Sequence, residues 1–137
     1  MPGIDECLLE AMTVNGARGA AVIEWTSGLA LGMVGEVRDD NPEATAAETA
    51  ELARMAAEQR AFAAVGAEDA EKGGGVDGAS SVEDVIVTTG TCYHLLRFVD
   101  TAFDSGVFFY LWLDRREGNL ALARMRLRDL SERLALI

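Results

Sequence analysis

The sequence predicts an α+β domain, an α/β sandwich in which helices cover both faces of a five-stranded, mostly antiparallel sheet. Three observations carry this reading. The chain reads in order as helix, two strands, helix, three strands, helix. The run Val107-Phe108-Phe109-Tyr110-Leu111-Trp112-Leu113 has no alternation, so a strand there needs cover on both sides and a place in mid-sheet. The alanine-rich run from Glu43 to Val65 is long enough for one helix of about six turns, and it has two different apolar sides.

Residues 4–13 form the first predicted helix, with Ile4, Leu8 and Ala11 on one face and Asp5 and Glu6 in the first turn; Asn15 and Gly16 end it. A strand over Gly19–Trp25 and a second over Leu29–Val34 flank Thr26-Ser27-Gly28. That connection fits a hairpin whose last loop residue is left-handed. Gly32 and Gly35 weaken the second strand, which suits a sheet edge. An acidic loop over 36–41 feeds the long helix, for which Asn41 is the N-cap, Pro42 the first helical residue and Glu43 an anion at the positive end of the dipole.

At 100° per residue, Ala46, Ala50, Ala53, Ala57, Ala61 and Ala64 share one side of that helix, and Leu52, Met55 and Phe62 another. The expectation is that the bulky stripe grips the sheet and the small stripe lets a second helix approach, which makes a dimer. From Gly66 to Ser81 the chain is polar and Gly-rich, so 67–81 is expected to be a mobile acidic surface loop; Gly73-Gly74-Gly75 lacks the strand and Gly-Lys-Ser/Thr of a phosphate loop. Strands over 82–89, 92–99 and 107–113 follow as an antiparallel meander, separated by Gly90 and by Asp104-Ser105-Gly106. Asn119 caps the last helix, whose face is Leu120, Ala123, Leu127, Leu130, Leu134 and Ile137.

The chain has 137 residues, half of them hydrophobic, so a single folded domain over 1–137 is expected. Its net charge of −11 argues against wrapping nucleic acid or lying on an anionic membrane. The charge is uneven: residues 36–84 hold 13 acidic against 4 basic residues, a local −9, while Arg115, Arg116, Arg124, Arg126, Arg128 and Arg133 cluster late. A single Lys beside eleven Arg, with so much Ala, is the codon habit of a GC-rich genome. The longest apolar run is too short to span a bilayer and no leader pattern opens the chain, so a cytoplasmic protein is expected.

No residue pattern announces a reaction. His94 is the one histidine, and Cys92 lies two residues away on the same strand face, about 7 Å off, too far for a nucleophile–base hydrogen bond. Cys7 and Cys92 lack metal spacing and read as buried reduced thiols. Asp39, Asp40 and Asn41 cannot form a calcium loop, because Pro42 and the helix follow at once. Glu83 and Asp84 point to opposite strand faces and so cannot share a substrate; they keep an edge soluble until it is paired. Trp25, Tyr93 and Trp112 belong to the core, and Arg97 is either an ion-pair partner at an interface or a snorkelling side chain. No cofactor and no metal is implied, and a binding protein is expected rather than an enzyme.

The order of elements, with the hairpin Gly19-Ala20-Ala21-Val22-Ile23-Glu24-Trp25-Thr26-Ser27-Gly28-Leu29-Ala30, resembles the roadblock family of dynein-light-chain-type domains. The closing Gly118-Asn119-Leu120-Ala121-Leu122-Ala123-Arg124, running into an amphipathic helix, looks like that family's ending. The resemblance implies a profilin-like sheet of strand order 2-1-5-4-3, and a homodimer or a dimer with a related roadblock chain. In such dimers the long helices pack side by side and the third strands pair. Carried onto this chain, those elements are residues 43–65 and 82–89, with Ala46, Ala50, Ala53, Ala57, Ala64, Val85 and Val87 at the interface. Arg60 and Thr49 interrupt or border the small stripe, and Arg60 would reach out or meet Glu51 or Glu58 of the other copy. Bacterial members commonly act on small Ras-like GTPases, so the resemblance implies a non-catalytic GTPase regulator or adaptor. Glu48, Glu51, Arg54 and Glu58 are then the expected partner-binding positions. A purely structural dimerisation scaffold is the alternative; a small-molecule sensor would need an apolar cavity with convergent polar groups.

Overall fold

The computed structural model describes residues 2–63, 82–100 and 106–136. Among the described residues eight main elements follow one another: α1 (Pro2–Ala11), β1 (Ala17–Glu24), β2 (Leu29–Gly35), α2 (Pro42–Glu58), β3 (Asp84–Thr88), β4 (Cys92–Val99), β5 (Val107–Asp114) and α3 (Leu120–Ala135). Single 3₁₀ turns at Arg38–Asp40 and Arg60–Phe62 flank α2. The sheet order is β2-β1-β5-β4-β3, as expected, and every neighbouring pair is antiparallel. β5 lies in the middle and its first seven residues are all buried, which is why its sequence does not alternate.

The two faces carry separate cores. On one, Ile4, Leu8 and Ala11 of α1 and Ala123, Leu127, Leu130 and Leu134 of α3 pack on Ala20, Val22, Leu95, Phe109, Leu111 and Leu113. On the other, Ala46, Ala50 and Ala53 of α2 pack on Ala21, Ile23, Leu96, Phe108, Tyr110 and Trp112. The predicted roles of the two α2 stripes are therefore exchanged. Ala46, Ala50, Ala53 and Ala57 face the chain's own sheet, between 0% and 7% exposed, and are not open to a second helix. The reason is volume. This face of the sheet presents Phe108, Tyr110 and Trp112, and interior packing density leaves room on the helix side for methyl groups only. Met55 and Phe62 point outward, each 55% exposed, with Leu52 half-buried between the two sides.

Other boundaries move for local reasons. β1 begins two residues earlier than the periodicity predicts, and the hairpin connection is Trp25-Thr26-Ser27-Gly28, closed by Gly28 N–H to the Glu24 carbonyl at 2.8 Å with Gly28 at φ 78°. α2 starts as predicted, its Asn41 Oδ1 accepting from Ala44 N–H at 3.0 Å. It stops at Glu58 rather than Val65, with Gln59 extended. From Glu58 to Ala63 every residue is exposed, so little burial supports another turn, and burial against the rest of the chain is what stabilises most helices in water. Ala64 and the 67–81 loop lie outside the described residues. On β2 the register skips a residue: Ile23 faces Ala30 and Val22 faces Gly32, which makes Leu31 a bulge on that edge strand.

Candidate functional site

Strand β3 is the edge beside α2, and no described residue fills the space between them. Leu52, Met55 and Phe62 on the helix side and Val82 and Val85 on the strand side line an open, mostly apolar groove of about 430 Å³. Val85 and Val87 point to this α2 face, paired across to Leu96 and His94 of β4. The edge is held from behind by ions. Asp84 takes Arg124 Nε at 2.9 Å and sits 3.9 Å from Arg97, which also lies 3.7 Å from Glu83. Arg97 is therefore an ion-pair partner within the chain, its side chain 16% exposed, and this clamp lies on the far side of β3 from Val85 and Val87.

Of the four predicted partner-binding positions, Glu48, Glu51 and Glu58 are exposed along α2. Arg54 is not free in the same way. It is half-buried and donates from Nη1 to the Trp25 carbonyl at 3.3 Å, tying the helix to the end of β1. Leu52 and Met55, which the sequence reading assigned to the core, now belong to the open face.

A second cluster sits on the same face of the sheet, at the opposite end of β4 and β5 from Phe98 and Phe108. The Arg18 guanidinium lies 4.3 Å over the Trp112 ring, pairs with Glu36 at 2.9 Å, and donates to Cys92 Sγ at 3.6 Å. Thr91 Oγ1 also reaches Cys92 Sγ at 3.6 Å. The buried Trp112 Nε1 has no hydrogen-bond partner among the described residues, and it lies close enough to the same sulfur to favour the charged form. Burial pushes the Cys92 thiol up, but Trp112, Thr91 and Arg18 together outweigh it and hold the thiol below its ordinary value. Cys7, on the α1/α3 side, is pushed up by burial and donates to the Leu130 carbonyl at 4.0 Å.

His94 is not a base for Cys92. Its Nδ1 is 2.8 Å from the Tyr110 hydroxyl, and its ring stacks on Trp112 at 6.1 Å. Burial first, then the charge of Arg38, holds His94 below the ordinary imidazole value, and burial raises Tyr110. Met33, Val37, Arg38 and Thr45 roof these rings over a small cavity of about 60 Å³, room for a water or two. Among the described residues no group of three or more His, Cys, Asp and Glu is placed to hold a metal ion, and no helix is long and apolar enough to cross a membrane. The cysteine cluster was invisible in the sequence, because its donors come from positions 18, 91 and 112 and share no local pattern.

No protein-family model matches this chain, and no curated protein matches it. Solved structures do. MglB of Myxococcus xanthus superposes at a TM-score of 0.72 with 15% identity, over 98% of this chain and 86% of that one. MglC from Myxococcus xanthus gives 0.60 with 17% identity over 98% of both chains. A Roadblock/LC7 domain from Streptomyces avermitilis gives 0.57 with 15% identity, over 93% of this chain and 91% of that one. The fold is the roadblock fold, of the profilin-like type, as the hairpin and the closing helix led one to expect.

Proposed function

We propose that this chain, with its roadblock fold, acts over residues 1–137 as a non-catalytic dimeric adaptor that binds a small Ras-like GTPase and biases its nucleotide cycle. The observation that carries the dimer is the open apolar groove between α2 and the edge strand β3. A contiguous apolar surface flanked by an unpaired strand is a pairing surface. A second copy related by a two-fold axis would lay its own Leu52, Met55 and Phe62 against the first set and pair β3 with β3, covering Val85 and Val87. Ala46, Ala50, Ala53 and Ala57 are no part of this seam, because they are buried in the chain's own core.

The GTPase half of the reading rests on the family resemblance and on charge. Glu48, Glu51 and Glu58 ring the proposed seam, and two copies double that acidic rim, which favours a basic partner surface. No catalytic group stands in the rim, so action on the GTPase would be a population shift among its switch conformations.

Two measurements test the parts separately. Sedimentation velocity of the full chain is expected to show a dimer, and Met55→Glu a monomer that keeps its circular dichroism; a parent that stays monomeric at high concentration overturns the seam. The dimer is then titrated into small Ras-like GTPases from the same genome, loaded with GDP or with a GTP analogue. Nucleotide-dependent binding, weakened in a Glu48→Lys, Glu51→Lys, Glu58→Lys variant, is the expected result. Binding to neither form overturns the regulator reading and leaves a structural scaffold.

A further inference from the structure

We propose that Cys92 is a peroxide-reactive thiol whose sulfur is held by hydrogen bonds from Arg18 and Thr91, with the unpaired indole N–H of Trp112 beside it, a modification site separate from the docking role above. Two donors from two places in the chain hydrogen-bond to one sulfur, Arg18 Nη1 from β1 at 3.6 Å and Thr91 Oγ1 from the β3–β4 turn at 3.6 Å, and the indole N–H of Trp112 from β5 lies near it without a partner. The indole is the telling one. Trp112 is 8% exposed, and its Nε1 is buried without a partner of good geometry. A buried donor left unpaired is uncommon, and it is explained when its target is an anion with several lone pairs, not a neutral thiol that accepts weakly. A deprotonated sulfur accepts from Arg18 and Thr91 and gives the unpaired indole an anion to face.

The cover over this site is thin. Cys92 itself is 4% exposed, but the group lying across it is the Arg18–Glu36 ion pair, whose side chains are 38% and 59% exposed. A surface ion pair of that kind opens readily, and hydrogen peroxide is little larger than water. The thiolate sulfur attacks one peroxide oxygen, the O–O bond breaks, and the departing hydroxide takes up a proton to leave as water. Sulfur is oxidised to sulfenic acid and the peroxide is reduced. Cys7 cannot resolve the product into an intramolecular disulfide, because it lies in the core on the opposite face of the sheet. It serves as an internal control: a buried thiol that among the described residues donates to the Leu130 carbonyl and accepts from no side chain.

The test uses the reduced full-length chain at neutral pH with a small excess of hydrogen peroxide. The protein is quenched, unfolded with a thiol-blocking reagent and mapped by peptide mass. Oxygen addition at Cys92 is expected to run at least about tenfold faster than at Cys7. Ultraviolet thiolate absorbance of Cys7→Ser is expected to titrate below the ordinary thiol range, and Arg18→Met and Thr91→Ala each to move that midpoint up and slow the oxidation. Oxidation of Cys92 no faster than Cys7 overturns the proposal. So does a thiolate that appears only where a free cysteine titrates, or one unmoved in both donor variants.

Discussion

Ala53→Leu tests which side of α2 belongs to the core. Ala53 is 0% exposed and sits in the layer with Leu96, Phe108 and Tyr110, so three added carbons have no space to enter without pushing the helix off the sheet. Overpacking of this kind costs about 1–3 kcal/mol. With an unfolding entropy of about 2.1 cal/mol/K per residue over 137 residues, each kcal/mol lowers Tm by roughly 3.5 °C, so the expected drop is about 3–10 °C. Thermal unfolding is followed by circular dichroism at two protein concentrations, because a dimer makes Tm concentration-dependent. Met55→Glu is the counterpart: at 55% exposure it leaves the monomer's own packing intact and changes only what a second copy can do. An Ala53→Leu protein that melts within about a degree of the parent yet sediments as a smaller species would refute the reasoning, since the alanine face would then be a seam and not an interior.

Asn41→Ala removes the oxygen that accepts from Ala44 N–H and should cost about 1 kcal/mol by chemical denaturation, with an unchanged m-value. Gly16→Ala should cost about 1–3 kcal/mol in the same assay, because φ is 87° there and an added Cβ would meet the Gly118 backbone nitrogen at 2.7 Å. Glu10 and Glu36 are held below the ordinary carboxylate value, first by side-chain hydrogen bonds from Arg133 and Arg18. Their contribution is present above about pH 4.5 and lost as pH falls through the lowered folded values; both pairs are exposed, so Glu10→Gln should flatten the acid limb of Tm against pH only slightly, and less in salt. His94 is held below its ordinary value of 6.5, so on acidification the unfolded chain takes up this proton first and stability falls as pH drops below about 6.5; His94→Gln should remove that part of the slope.

Much of the architecture was legible because it rests on local chemistry. Asn41-Pro42-Glu43 announces a helix start from three residues, Gly28 announces the hairpin, and the unbroken apolar run at 107–113 announces the doubly covered strand. The direction α2 faces was not legible for a physical reason. A helical wheel finds two apolar stripes but does not say which one meets large side chains, and here Phe108, Tyr110 and Trp112, some sixty residues on, decide it. The early stop of α2 has the same origin, since alanine propensity alone carries the pattern past the point where the packing ends. Of the candidate sites, Val85 and Val87 could be placed from alternation. The fate of Arg54, Arg97 and Cys92 depended on partners in other strands, which no spacing rule reaches.

The bulge at Leu31 gives the sheet two unequal borders. On the β3 side the ladder has a straight register against β4, whereas the β2 side is kinked by its extra residue and offers no regular row of donors and acceptors. A sheet that can be extended from one border only ends its growth after a single addition. In the proposed dimer, assembly through strands would therefore close as a finite pair instead of running on into a fibre, with the kinked border as the terminator.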